Sequence, residues 1–348
     1  MIKRKYLMIK REYLPLLFLL PVFISSCENE ILFDKEANPP KLVMNALINA
    51  DSTYNVLYLN KSGQTAIGHV ADASVEVRVN GVLVETPEAL PMPEGEAGSL
   101  QKRFLITTKF QPGDQVRIDA MTGDGAHHAW AEVSVPQPPM PIIRVDTATV
   151  SVNEYDNFYT NRLRYRITFS DRPEHARNYY RLILERHSTV YATVFSPERK
   201  DTVLTGRDVR MLSREDVVLT DGHPSLSGND NDLFDQEENI YGVFDNSRFA
   251  GQSYTMTVYS SSYEAWPVLS TPHILRREVK ECYVRLLSIN ETDFLYLKAL
   301  NLIDSDAYDE TMEPIVFASN VHGGLGIVSI STETSTKIIL TDKKYDEW

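Results

Sequence analysis

The sequence predicts a mainly β protein. An N-terminal immunoglobulin-like β-sandwich is followed by a second, larger β-sandwich-like domain with one C-terminal helix. Three observations lead there. Short runs of alternating apolar and polar residues recur along the chain with turn residues between them. Four prolines cluster in six residues, Pro136 to Pro141. A helical period accompanied by capping residues stands out near residues 289–300.

The chain starts with a basic cluster, Lys3, Arg4, Lys5, Lys10 and Arg11, then runs apolar from Tyr13 to Ile24. Those 12 residues, interrupted by two prolines, fall short of the roughly 20 that a spanning helix needs. A basic start, a short apolar stretch and small residues form the pattern of a cleaved export signal, residues 1–26. Ile24-Ser25-Ser26-Cys27 has the form of a bacterial lipobox, in which the Cys27 thiol carries a diacylglycerol and two or three acyl chains make the anchor stable. Cleavage before Cys27 removes five basic residues and one acidic one, leaving 322 residues and taking the charge from −13 to −17. That charge excludes nucleic acid as a partner, since no basic patch offsets it. With Cys27 acylated, Cys282 has no disulfide partner and reads as a small buried apolar group, alternating with Val284 and Leu286.

Residues 27–39 are polar and acidic and read as a tether. The first sandwich is expected over residues 40–135. "KLVMNALIN" and "YNVLYLN" open it, and "ASVEVRVNGVLVET" is a hairpin, with Asn80-Gly81 in a type I′ turn. "KRFLITTKF", "QVRIDAMT" and "HAWAEVSV" complete about seven short strands in about 100 residues, the signature of an immunoglobulin-like sandwich. "PQPPMP" (136–141) is an extended, stiff linker. The second domain is expected over 142–348. "NRLRYRITFS" sets Leu163, Tyr165, Ile167 and Phe169 on one face, and "NYYRLILERHSTVYATVFS" and "QSYTMTVYSSSY" are further strands. Asn290 caps the helix with Asp293 three residues on, and Ile289 and Phe294 form a hydrophobic staple. "EPIVFASN" and "GIVSIST" are expected as the last two strands.

In "LVMNALI", "FQPGDQVRI", "AEVSVP", "FSDRPEHARNYYRL", "FDNSRFAGQSYTM" and above all "EPIVFASNVHGGLGIVS", the chain resembles domain-of-unknown-function family 4249. Glycine in place of Ala46 and an aromatic residue in place of Val328 would be more typical. The resemblance implies a lipoprotein of the Gram-negative outer membrane, commonly encoded beside a TonB-dependent receptor, and it implies no chemistry. The expected role is therefore a non-catalytic accessory to TonB-dependent uptake, capturing ligand or docking to the receptor. A structural or adhesive surface subunit is the alternative, and an envelope hydrolase comes third. Surface exposure is favoured over the periplasmic face, because Glu28, Glu30 and Asp34 follow Cys27 at once.

No catalytic residue is expected. "HGGLG" (322–326) lacks the G-x-S-x-G elbow that a lipase needs and leads from strand to strand, so its glycines read as backbone devices at a bend. His127-His128 sits in a turn and reads as exposed. Asp230, Asp232, Asp235 and Glu237 offer oxygen ligands that would suit calcium, but not at EF-hand spacing, and a solvated acidic loop is the plainer account. No other cofactor is expected. Tyr259, Tyr263 and Trp266 cluster near a strand end, where exposed rings could stack on a sugar or peptide, but packing in the core or at an edge is the plainer account.

Overall fold

Every second residue of the strand β1 (Leu42–Asn49), namely Leu42, Met44, Ala46 and Ile48, is buried, as its alternation requires. The computed structural model describes residues 39–63, 67–91, 101–155, 158–174, 176–195, 199–209, 211–212, 216–222, 239–260, 272–304 and 315–345. Of these, residues from Lys41 onward fall in one compact unit.

The first half carries β2 (Asn55–Lys61), β3 (Ala73–Val79), β4 (Val82–Glu85), β5 (Glu88–Ala89), β6 (Lys102–Ile106), β7 (Gln115–Thr122) and β8 (His128–Ser134). The hairpin β3–β4 turns on Asn80 and Gly81, both at positive φ, as an Asn-Gly type I′ turn demands. The second half carries β9 (Arg144–Tyr155), β10 (Phe158–Ser170), β11 (Tyr179–Phe195), β12 (Arg199–Asp208), β13 (Met211–Leu212), β14 (Val243–Asp245), β15 (Ser253–Ser260), β16 (His273–Ile289), the helix α1 (Glu291–Asp304) and β17 (Leu325–Lys344).

These strands form one long sheet and two small ones. The long sheet has nine strands in the order β12-β11-β16-β17-β1-β2-β6-β5, with β14 also pairing β11. The small sheets run β4-β3-β7-β8 and β13-β15-β10-β9. β17 joins the halves. Its first seven residues, Leu325 to Ser331, pair in parallel with β1, and the rest pairs antiparallel with β16. Val328 and Ile330 enter a core with β1, β2, β3, β7 and β8, while Ile338 packs on a second core built around Tyr165, Phe169, Tyr180, Phe244 and Cys282. The register of β17 is unbroken between those positions, so both small sheets cover the same face of the long one. The odd-numbered residues Ile183, Leu287 and Ile289 face the other way, where Leu297 and Phe294 of α1 pack on them. Asp293 supplies its half of a capping box, Oδ2 accepting the Asn290 N–H at 3.2 Å, while the Asn290 side chain donates to the Ser134 carbonyl at 3.1 Å.

Val321, Val328 and Ile330 lie C-terminal to the Pro136–Pro141 stretch yet belong to the first core. That stretch is itself held. The Thr332 hydroxyl donates to the Pro136 carbonyl at 3.2 Å, and Arg172 donates to the Pro138 carbonyl. Residues 315–320, expected as a strand, are not one. The Asn320 side chain replaces the ladder there, donating to the Val328 carbonyl at 2.7 Å and accepting its N–H at 3.0 Å. The strand expected from "GIVSIST" instead runs 20 residues.

The glycines of "HGGLG" do what a close backbone approach requires. A Cβ on Gly326, at φ +106°, would stand 2.3 Å from the Met44 carbonyl oxygen, and one on Gly324 would stand 2.4 Å from that of Leu42. Gly326→Ala should cost on the order of 3 kcal/mol, since strained backbone alone accounts for roughly 1–3 kcal/mol and a clash is added. Gly81→Ala, also at positive φ but with nothing within 4 Å of its would-be Cβ, should cost about 1 kcal/mol. Urea denaturation of the two variants reads the difference, and equal losses would show that the β1–β17 contact does not set the requirement.

Candidate functional site

A cleft of about 630 Å³ opens where the two halves meet. Its walls come from three separate parts of the chain: Pro136-Gln137; Arg172, Glu174 and residues 176–179 before and into β11; and the end of β16 with the first turn of α1. The middle wall is fixed from below by Asp171, which is only 4% exposed. Its carboxylate accepts four hydrogen bonds: Tyr180 Oη at 2.6 Å, Asn246 Nδ2 at 2.8 Å, the Gly251 N–H at 2.9 Å and Asn178 Nδ2 at 3.0 Å. Burial alone would raise its pKa, but the donors outweigh it and hold the carboxyl below the usual range. The same contact, with burial as the larger cause, drives the Tyr180 phenol far above its ordinary value.

Arg172, Arg177, Asn178 and Tyr179 are thereby placed along the cleft. Arg177 Nη2 lies 2.7 Å from Asp245 and its guanidinium sits 5.7 Å from the Tyr179 ring centre. The Tyr179 hydroxyl donates to Glu291 Oε1 at 2.7 Å, and its ring packs on Phe294. Burial, reinforced by Glu291, pushes the Tyr179 pKa up to about 12, so this phenol is a fixed donor at neutral pH rather than a proton shuttle. On the α1 side, Asn290 Nδ2 donates to the Ser134 carbonyl at 3.1 Å, tying the helix start to the end of β8. The cleft thus presents both signs of charge and one aromatic edge, with its ionisable groups committed to one another. Such a lining can recognise a polar solute or a peptide segment by hydrogen bonds.

A second polar cluster lies on the first half. Asp119 accepts two bonds from Arg117 at 2.8 Å, one from Arg78 at 3.2 Å, and stands 3.1 Å from His128 Nε2. Arg117 chiefly, against the opposing effect of burial, holds the Asp119 carboxyl below its ordinary range. Trp130 makes close ring contacts here, with the Arg117 guanidinium 4.0 Å and the His322 ring 4.1 Å from its centre. The backbones of Trp130 and His322 also exchange two hydrogen bonds. The histidine of "HGGLG" therefore holds the small sheet to the approach of β17.

Of the sequence-derived candidates, Tyr259 is 4% exposed within β15. Tyr263 and Trp266 lie outside the described residues, as do Cys27 and the acidic set Asp230, Asp232, Asp235 and Glu237. Among the described residues, no group of three or more His, Cys, Asp or Glu side chains could hold a metal ion. Cys282 is fully buried, and burial pushes its thiol up to about 11. Sequence reasoning missed the cleft. Its first two segments stand 35 residues apart and the third more than 100 further on, and the only local signal is the charge-rich stretch "SDRPEHARN".

Residues 28–337 match a family described as "Domain of unknown function (DUF4249)". The chain belongs to that family. The DUF4249 match thus takes in all three walls of the cleft and both segments paired by β17 up to Lys337. Comparison with curated proteins gives no match.

Asp293, on the opposite face from the two small sheets, is 2% exposed, and burial pushes its pKa up to about 7 although Ser329 and the Asn290 N–H donate to it. A carboxyl raised in the folded state stabilises the fold below its unfolded pKa of about 3.9, and that contribution is lost as pH climbs through about 7. Asp293→Asn removes the titration. Relative to that variant, the wild type should lose stability between about pH 4 and pH 7, with a slope approaching 1.4 kcal/mol per unit. Denaturation series across this range check it, and parallel curves would refute it.

Proposed function

We propose that this DUF4249 chain is a lipid-anchored, non-catalytic accessory of the outer membrane, serving a TonB-dependent uptake system. The observation that carries the reading is the lipobox. Ile24-Ser25-Ser26-Cys27 follows a basic and then an apolar stretch, and the family match begins at residue 28, directly after the cysteine. The cleft supports recognition rather than turnover, because Arg177 and Tyr179 are each engaged by a carboxylate and neither is poised for proton transfer at neutral pH. A solute held there, or a receptor segment seated there, would meet paired charges and hydrogen-bond donors on rigid walls.

Cys27→Ser should move the protein from the outer-membrane fraction to the soluble envelope fraction, and retention in the membrane would overturn the anchor. The wild-type chain, solubilised in mild detergent, should co-purify with a β-barrel receptor. Recovery of the protein alone would overturn the accessory role. Proteinase treatment of intact cells reads the face, with degradation expected for a surface-exposed chain.

A further inference from the structure

Arginine in this acidic chain is usually matched by a carboxylate. Nine arginines lie within 4.0 Å of one. Arg164 and Arg166 do not. Leu163, Tyr165 and Ile167 turn inward to the second core, which leaves Arg162, Arg164 and Arg166 on the outer face of the sheet β13-β15-β10-β9. Arg162 is buried and donates to the Ser260 carbonyl at 3.1 Å. Arg164 is half-buried, its Nε shut off from water without an acceptor, and Arg166 is exposed. Among the described residues neither of these two guanidiniums has a hydrogen bond or an ion pair. The acid across the ladder from Arg166, Asp146, is engaged by Arg144, whose Nε lies 2.8 Å from Oδ1.

From this we infer that the outer face of this sheet binds a phosphate group between Arg164 and Arg166. Residues two apart on a strand stand roughly 7 Å apart, so the two cations repel each other and their long side chains can close on one oxyanion. A guanidinium meets phosphate with two parallel N–H bonds, and a second guanidinium takes the remaining oxygens. A phosphate monoester, carrying about −1.5 to −2 at neutral pH, offsets both cations, whereas a carboxylate offsets only one. The neighbours leave room and add a donor. Ala148 lies beside Arg164 across one ladder, and Thr257 lies beside Arg166 across the other. The Thr257 hydroxyl has no partner among the described residues. A net charge of −13 works against non-specific retention of anions, so bound phosphate would report this pair. None of these residues lines the cleft, and the inference is independent of the role proposed for it.

Isothermal titration of the full-length, detergent-solubilised protein at constant ionic strength tests the site. Inorganic phosphate should give a saturable, one-to-one isotherm. Arg166→Ala, at an exposed position, should weaken it by about tenfold or more without lowering the thermal midpoint. Arg166→Lys should recover part of the loss, since a lysine keeps the charge but not the paired N–H groups. Arg277→Ala, which removes an arginine bonded to Asp342 on another sheet, should leave the isotherm unchanged. Phosphatidic acid carried in the same micelles is the second probe. Tighter binding of phosphatidic acid than of inorganic phosphate assigns the site to a lipid headgroup, and equal or weaker binding assigns it to a soluble phosphate; both support the inference. No saturable binding of inorganic phosphate, or equal binding by the wild type and Arg166→Ala, would overturn it.

Discussion

The fold depends on β17 belonging to two cores at once. A strand of 20 residues can do this only if one edge finds β1 and the other finds β16 in succession, with no slip between them. Parallel pairing with β1 brings nearly the whole length of the chain together, so Leu42 and Ile330 share a core although 288 positions separate them. Such a contact is expensive in chain entropy and forms only when both cores reward it. The two sandwiches are thus thermodynamically tied through backbone hydrogen bonds rather than by side-chain packing between finished domains.

The approach to β17 depends on glycine. Gly323, Gly324 and Gly326 lie where any Cβ would strike the carbonyls of His128, Leu42 or Met44, so this turn brings the last strand against the first strand and the small sheet together. His322 adds a backbone bridge and a ring stacked on Trp130. Farther along β17, Ser329 and Thr332 reach out of the strand to Asp293 and to the Pro136 carbonyl. One strand therefore anchors the helix start and the connection between the halves, and the cleft lies beside them.

Much of this was legible in the sequence, and the reason is period. Alternation in Leu42–Asn49 or Leu163–Phe169 states which face is buried, Asn80-Gly81 states the turn, and Asn290 with Asp293 states where the helix begins. What was not legible is pairing between distant segments. Nothing local distinguishes a short final strand from one that continues to Lys344, because "TETSTKIILTDKK" alternates with polar residues on a face whose partner is β16, some 50 residues earlier. Residues 315–320 mislead for the opposite reason. "IVFA" has strand composition, but the Asn320 amide occupies the backbone groups of Val328 in place of a strand.

The cleft was hidden for a related reason, and its position follows from the shared strand. Two sandwiches share one face of a common sheet, and the chain passes from the first to the second as Pro136–Pro141, which cannot supply N–H groups at its prolines. The carbonyls of Pro136 and Pro138 then need donors from outside, and Thr332 and Arg172 provide them. Arg172 can do so because its neighbour Asp171 is locked by four hydrogen bonds to the second core. The wall that could recognise a ligand is therefore a by-product of satisfying the linker. This accounts for a polar cleft in which Arg177 and Tyr179 are already engaged by carboxylates.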